Sequence, residues 1–133
     1  MRRLTLVLTL GLLASPLAAQ DDAAIRDVIG NQLQAFTDRD VAEAWTYASP
    51  MIQRLFGTAE NFGAMVRNGY PMVWDNSDAE FLDLDGDGAT RTQEVYVRDG
   101  EGRGWILDYS MIATDQGWRI NGVTVIPAPD LAA

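Results

Sequence analysis

The chain changes hydrophobic period once, and that change limits its architecture more than any other feature. Before residue 79, apolar residues recur at helical spacing. From Ala79 onward they alternate with polar residues in runs broken by glycine-rich turns. The second half therefore reads as an antiparallel meander, with strands near AEFLDL, TQEVYVRD, WILDYSMIAT and WRINGVTVI joined by DGDGA, GEGR and DQG. In the third strand Trp105, Leu107, Tyr109 and Met111 share one face while Asp108 and Ser110 share the other, as in a sheet covered on one side. Helices first and strands after, in 133 residues, predict one α+β domain with N-terminal helices packed on a curved antiparallel sheet.

In the helical half, DDAAIRDVIGNQLQAFTDRD places Ile25, Val28, Ile29, Leu33 and Phe36 on one stripe, with Asp21 and Asp22 suited to a helix start. Asp40 can cap a second helix, VAEAWTYAS, whose stripe is Val41, Ala44, Trp45 and Ala48 and which Pro50 closes. A short helical turn is expected near Ile52 to Phe56. Thr58 then caps AENFGAMVRN, with Phe62, Met65 and Val66 facing inward and Gly69 as the stop. YPMVW reads as an extended aromatic piece.

The first twenty residues run from Arg2 and Arg3 through the apolar stretch Leu4 to Ala14, then Ser15, Pro16 and a small-residue end. That is the layout of a secretory signal peptide. The apolar run is shorter than the ~18 residues of a membrane span. Cleavage after Ala19 is expected, with no membrane association afterwards. The expected organisation is a signal peptide at 1–19, one domain at 20–127 and a loose tail at 128–133, in the periplasm or outside a bacterial cell. The ten basic residues are all arginine and face nineteen acids, a net charge of −9. The cut would remove two arginines and no acid, so nucleic acid and anionic lipid are poor partners. With no cysteine there is no disulfide, thiolate nucleophile or thiolate metal site. With no histidine the usual general base and the commonest zinc ligand are missing too.

One motif raises a cofactor. DLDGDGATRTQE, residues 83 to 94, fits the calcium-loop pattern D-x-[DN]-x-[DN]-G-x5-E, with Asp83, Asp85, Asp87, the Ala89 carbonyl and Glu94 as oxygen ligands and Gly88 at the bend. Its flanks are not helical, however, because EFLDL and EVYV alternate as strands, and no second loop accompanies it. The favoured reading is a hairpin whose Asp-Gly pairs supply positive φ, with calcium at Asp83, Asp85, Asp87 and Glu94 as the alternative.

AFTDRDVAEAW early, NFGAMVRNGYPMVW in the middle and DYSMIATDQGWRING late resemble the nuclear-transport-factor-two-like, or cystatin-like, superfamily, and within it the bacterial group described as domain of unknown function 4864. The resemblance spans roughly residues 24 to 126. It implies a cone: a bent sheet wrapping long helices, with a pocket at the open end that relatives use for steroids or polyketide intermediates, and members that are often homodimers. That superfamily hosts isomerases, cyclases, dehydratases and non-catalytic adaptors, so it implies no single activity.

An enzyme on such a scaffold without histidine would rely on carboxylates tuned by burial, tyrosines and arginines. Asp108, Tyr109 and Glu94 are the catalytic candidates, although Asp108 faces away from the apolar stripe of its strand and is expected on the outer surface. For ligand binding the candidates are Tyr47, Tyr70 and Trp74, large rings with a polar edge near element ends. Trp45 and Trp118 lie on amphipathic stripes and are expected in the core. The Trp105–Met111 stripe is core if the helices cover it and a dimer surface if they do not. The expected role is an exported, non-catalytic domain that binds a small apolar molecule or a protein partner at the open end. The alternatives are a cofactor-free isomerase, dehydratase or hydrolase using carboxylate and tyrosine, and a structural or dimerisation module without a ligand.

Overall fold

The computed structural model describes residues 16–128. Residues 1–15, which hold most of the expected signal peptide, and residues 129–133 of the expected tail lie outside the described residues. Five helical segments precede four strands: α1 (Pro16–Thr37), α2 (Val41–Thr46), α3 (Pro50–Phe56), α4 (Ala59–Gly69), α5 (Pro71–Trp74), β1 (Ser77–Asp87), β2 (Thr90–Arg98), β3 (Gly104–Thr114) and β4 (Gly117–Pro127).

The amphipathic stripe of α1 is what buries it: Ile25, Ile29, Leu33 and Phe36 are each at most 2% exposed. Asp40 caps α2 by accepting from the Glu43 N–H at 3.1 Å, and Thr58 caps α4 by accepting from Asn61 N–H at 3.1 Å. Two expectations need correction. Helix α2 stops at Thr46, well before Pro50, and Pro50 instead opens α3, because Ser49 caps that helix and a proline at the first helical position loses no hydrogen bond. YPMVW is a helical turn and not an extended piece. Pro71 presets the first residue of α5, and the Val73 and Trp74 N–H groups donate to the Tyr70 carbonyl at 2.9 and 3.0 Å, which buries both Met72 and Val73.

The strands pair antiparallel in the order β1-β2-β3-β4. Leu107, Tyr109 and Met111 of β3, Val95 and Val97 of β2, and Trp118 and Ile120 of β4 are buried against the helices. The third-strand stripe is therefore core, and the face with Asp108 and Ser110 points outward. Three register breaks bend the sheet, two along β1 and one along β4. In β1, Leu82 and Asp83 are accommodated by Gln93, which is buried and whose Nε2 donates to the carbonyls of Leu82, Asp83 and Glu94 at 3.1, 3.3 and 2.8 Å. In β4, Asn121 is the extra residue, and its Oδ1 accepts from Ser49 Oγ at 2.7 Å.

The β4 break is stitched to the helices. Ser49 N–H donates to the Ile120 carbonyl and Ile120 N–H donates to the Tyr47 carbonyl, both at 2.8 Å, so the α2–α3 junction runs alongside β4. Helix α1 is pinned across the sheet from its start: Asp21 Oδ1 accepts from Trp118 Nε1 and Asp22 Oδ1 pairs with Arg91 Nη2, each at 3.2 Å.

Helices α2 and α4 approach at Gly63, where a Cβ would lie 2.6 Å from Val41 Cγ1 and 3.0 Å from Val41 Cβ. Gly63→Ala gains about 1 kcal/mol of helix propensity and loses about 1–3 kcal/mol to overpacking. A net loss of thermal stability is expected, turning into a gain when Val41→Ala opens the space. Melting curves of the two single variants and the double variant check this, and equal effects of Gly63→Ala in both backgrounds would disprove the contact.

Candidate functional site

Between the sheet and the short helices lies a cavity of about 260 Å³, open on one side. Its walls are apolar: Phe36 from α1, Ile52 and Phe56 from α3, Phe62 and Val66 from α4, and Val123 from β4. Phe62 anchors the aromatic part, with ring centroids 5.9 Å from Phe36, 5.5 Å from Trp45 and 6.0 Å from Phe56. Over one side sits α3, which buries none of its residues fully. Its Leu55 is 70% exposed although it also lines the cavity.

The polar side chains that reach the cavity are Gln32, Tyr70 and Tyr109, and no charged side chain lines it among the described residues. Gln32, buried on α1, donates from Nε2 to the Ala44 carbonyl at 3.1 Å, tying α1 to α2. Tyr109 stands in the middle of β3 with Gln93 and Val123 as its cross-strand neighbours. It is wholly buried, and its hydroxyl has no hydrogen-bond partner among the described residues. Burial pushes its pKa well above the ordinary phenol range, so the group is a neutral donor and not a base at any physiological pH.

Residues 18–133 match the model of a family described as Domain of unknown function (DUF4864). The chain belongs to the DUF4864 family. The crystal structure of an NTF2-like protein of unknown function from Shewanella baltica superposes with a TM-score of 0.60, covering 87% of this chain and 100% of that one. At 12% identity it shows the fold alone, which is the NTF2-like α+β fold. No curated protein matches the chain.

In this DUF4864 domain the three catalytic candidates do not converge. Tyr109 faces the cavity, whereas Glu94 and Asp108 are directly opposed on the outer face of β2 and β3. Asp108 is less solvated than an outer position suggests, since its Oδ1 is buried without a hydrogen-bond partner among the described residues. The three ring candidates separate as well. Tyr70 lines the cavity. Tyr47 instead donates to Glu43 Oε1 at 2.6 Å in a polar groove with Asp38 and Asp40, and the bond to that carboxylate raises its pKa. Trp74 packs on Phe36 at 6.1 Å and lies under the Arg39 guanidinium at 4.6 Å, outside the cavity lining. Trp118 is buried and Trp45 partly buried against the core.

Sequence reasoning passed over Gln32, Phe56, Phe62 and Val123 as lining residues. Gln32 left a signal, because it interrupts the buried stripe of α1 beside Ile29 and Leu33, and a polar group there needs a partner.

Asp83, Asp85, Asp87 and Glu94 do not form a cation cradle. Strand β1 runs through Asp87 and β2 starts at Thr90, so Gly88 and Ala89 make a two-residue turn in which Gly88 has φ +64°. Glu94 is carried up β2 to face Asp108, and among the described residues no group of three or more acidic side chains could hold a metal ion. Calcium at 10 mM is expected to move the melting midpoint no more than magnesium does, and a calcium-specific rise abolished by Asp87→Ala would restore the loop.

A second melt tests the cavity. Removing a buried, unpartnered hydroxyl relieves about 1 kcal/mol of desolvation. Tyr109→Phe should therefore raise the midpoint by several degrees in a domain of this size, and a lower midpoint would mean that the hydroxyl is satisfied in the folded protein.

Proposed function

We propose that this DUF4864 domain is a non-catalytic binding protein that takes up a small apolar molecule in the cavity between the sheet and α3, α4 and α5. The carrying observation is the cavity's chemistry: aromatic and aliphatic walls, a few neutral polar groups and, among the described residues, no charged side chain. General acid-base work needs a titratable group near neutrality within reach of the substrate. The carboxylates considered for that work, Asp108 and Glu94, lie on the other side of the sheet. Leu55 of α3 both lines the cavity and is exposed at the surface, which supports entry past α3.

The same proposal places the domain in the periplasm or outside the cell. The layout of the first twenty residues supports this, and so does the position of the anchoring contacts. Asp21 and Asp22, which tie α1 to Trp118 and Arg91, both lie downstream of a cut after Ala19.

The neutral fluorophore N-phenyl-1-naphthylamine should bind the purified protein saturably at one equivalent, with increased and blue-shifted emission. Val123→Trp, which fills the cavity from a half-buried position, should weaken that binding at least about ten-fold while the protein still melts cooperatively. Equal binding by Val123→Trp, or emission that never saturates, would move the site elsewhere.

A further inference from the structure

We propose that the occupant of this cavity is an uncharged molecule that presents a carbonyl, ester or ether oxygen to the Tyr109 hydroxyl, with the rest of its surface apolar. The proposal rests on the reading of the cavity as a binding site and specifies what that site selects.

The Tyr109 hydroxyl is not explained by packing. A phenylalanine would keep the ring's contacts with the core and would bring no unpartnered hydroxyl into it. Nor do the neighbouring buried amides answer it. The Gln93 amide nitrogen is held by the carbonyls of Leu82, Asp83 and Glu94 and the Gln32 amide nitrogen by the carbonyl of Ala44, and neither amide oxygen accepts from the hydroxyl. What remains is the buried hydroxyl of a cavity-lining residue, which has given up its hydrogen bonds to water on folding.

The chemistry of that group sets its complement. A phenol conjugates its oxygen lone pair into the ring, so it donates better than it accepts, and the unmet requirement is an acceptor for its proton. A neutral oxygen meets that requirement. An ionised carboxylate does not belong there, because it would lose its hydration with no counter-charge among the cavity-lining residues. Phe36, Phe56, Phe62 and Val66 favour an aromatic or aliphatic body around that one oxygen.

Fluorene and 9-fluorenone have the same outline and differ by a methylene against a carbonyl. Displacement of N-phenyl-1-naphthylamine by each, measured on the unaltered protein and on Tyr109→Phe, isolates the hydroxyl, because the ketone's greater solubility in water cancels between the two proteins. The ratio of 9-fluorenone affinity to fluorene affinity should fall about five-fold in Tyr109→Phe, the worth of one neutral hydrogen bond, while fluorene binding is kept. Independently of the variant, the carbonyl stretch of 9-fluorenone bound to the unaltered protein should lie at lower wavenumber than in cyclohexane. An unchanged ratio with an unshifted band, while fluorene still binds, overturns the proposal and leaves the cavity as a purely apolar site. If neither compound nor the fluorophore binds, the binding reading itself fails and this one fails with it.

Discussion

A four-stranded antiparallel sheet with one apolar face is wider than one helix can cover. Neighbouring strands stand about 4.8 Å apart, which makes the sheet roughly 14 Å across between its outer strand axes. A helix with its side chains is about 10 Å in diameter. Helix α1 crosses that face from Asp21 at Trp118 to Leu33 beside Asn76, and the area it leaves falls to four short segments, α2 to α5. Short helices present few side chains each and meet at angles set by their caps and prolines. Residual space between them follows, and the cavity beside Phe62 is that space.

The inner face is also where the polar side chains are sorted. Gln93 and Gln32 are buried with their donors satisfied, one holding a β1 register break and the other joining α1 to α2. Ser49 does the same work at the β4 break by bonding Asn121. At these two breaks a side chain takes up exposed main-chain or amide groups, as buried polar groups require. Tyr109 departs from that pattern: its ring packs in the core while its hydroxyl has no partner among the described residues, which is the observation behind the proposed ligand contact.

Charge is distributed with the opposite logic. The carboxylates of β2 and β3 lie on the outer face and those of the α1–α2 loop lie in the groove with Tyr47, while the cavity is lined by uncharged residues. An acidic chain whose cavity is lined by uncharged described residues fits the proposed uncharged occupant, because a charged one would lose its hydration there.

Much of the fold was legible in the residues. Caps at Asp40 and Thr58, the stripe Ile25–Phe36 and the alternation after Ala79 are local signals, governed by periods of 3.6 and 2 that the backbone imposes on any chain. They determined helices first, a meander after, and a hairpin within residues 83 to 94. The site was less legible because it is made of contacts between distant segments. Tyr109 reads as one more member of a core stripe, and Tyr47, Tyr70 and Trp74 read alike as rings near element ends. Only packing showed that Tyr70 and Tyr109 share a cavity with Gln32 and Phe62, that Trp74 is held by Phe36 and Arg39, and that Tyr47 is turned toward Glu43. The sequence by itself determined the elements and their order, because propensity and periodicity act within a few residues. The tertiary structure alone decided which face is core, where the cavity opens and which hydroxyl is left without a partner, because burial and hydrogen-bond satisfaction depend on residues up to 97 positions apart in the chain.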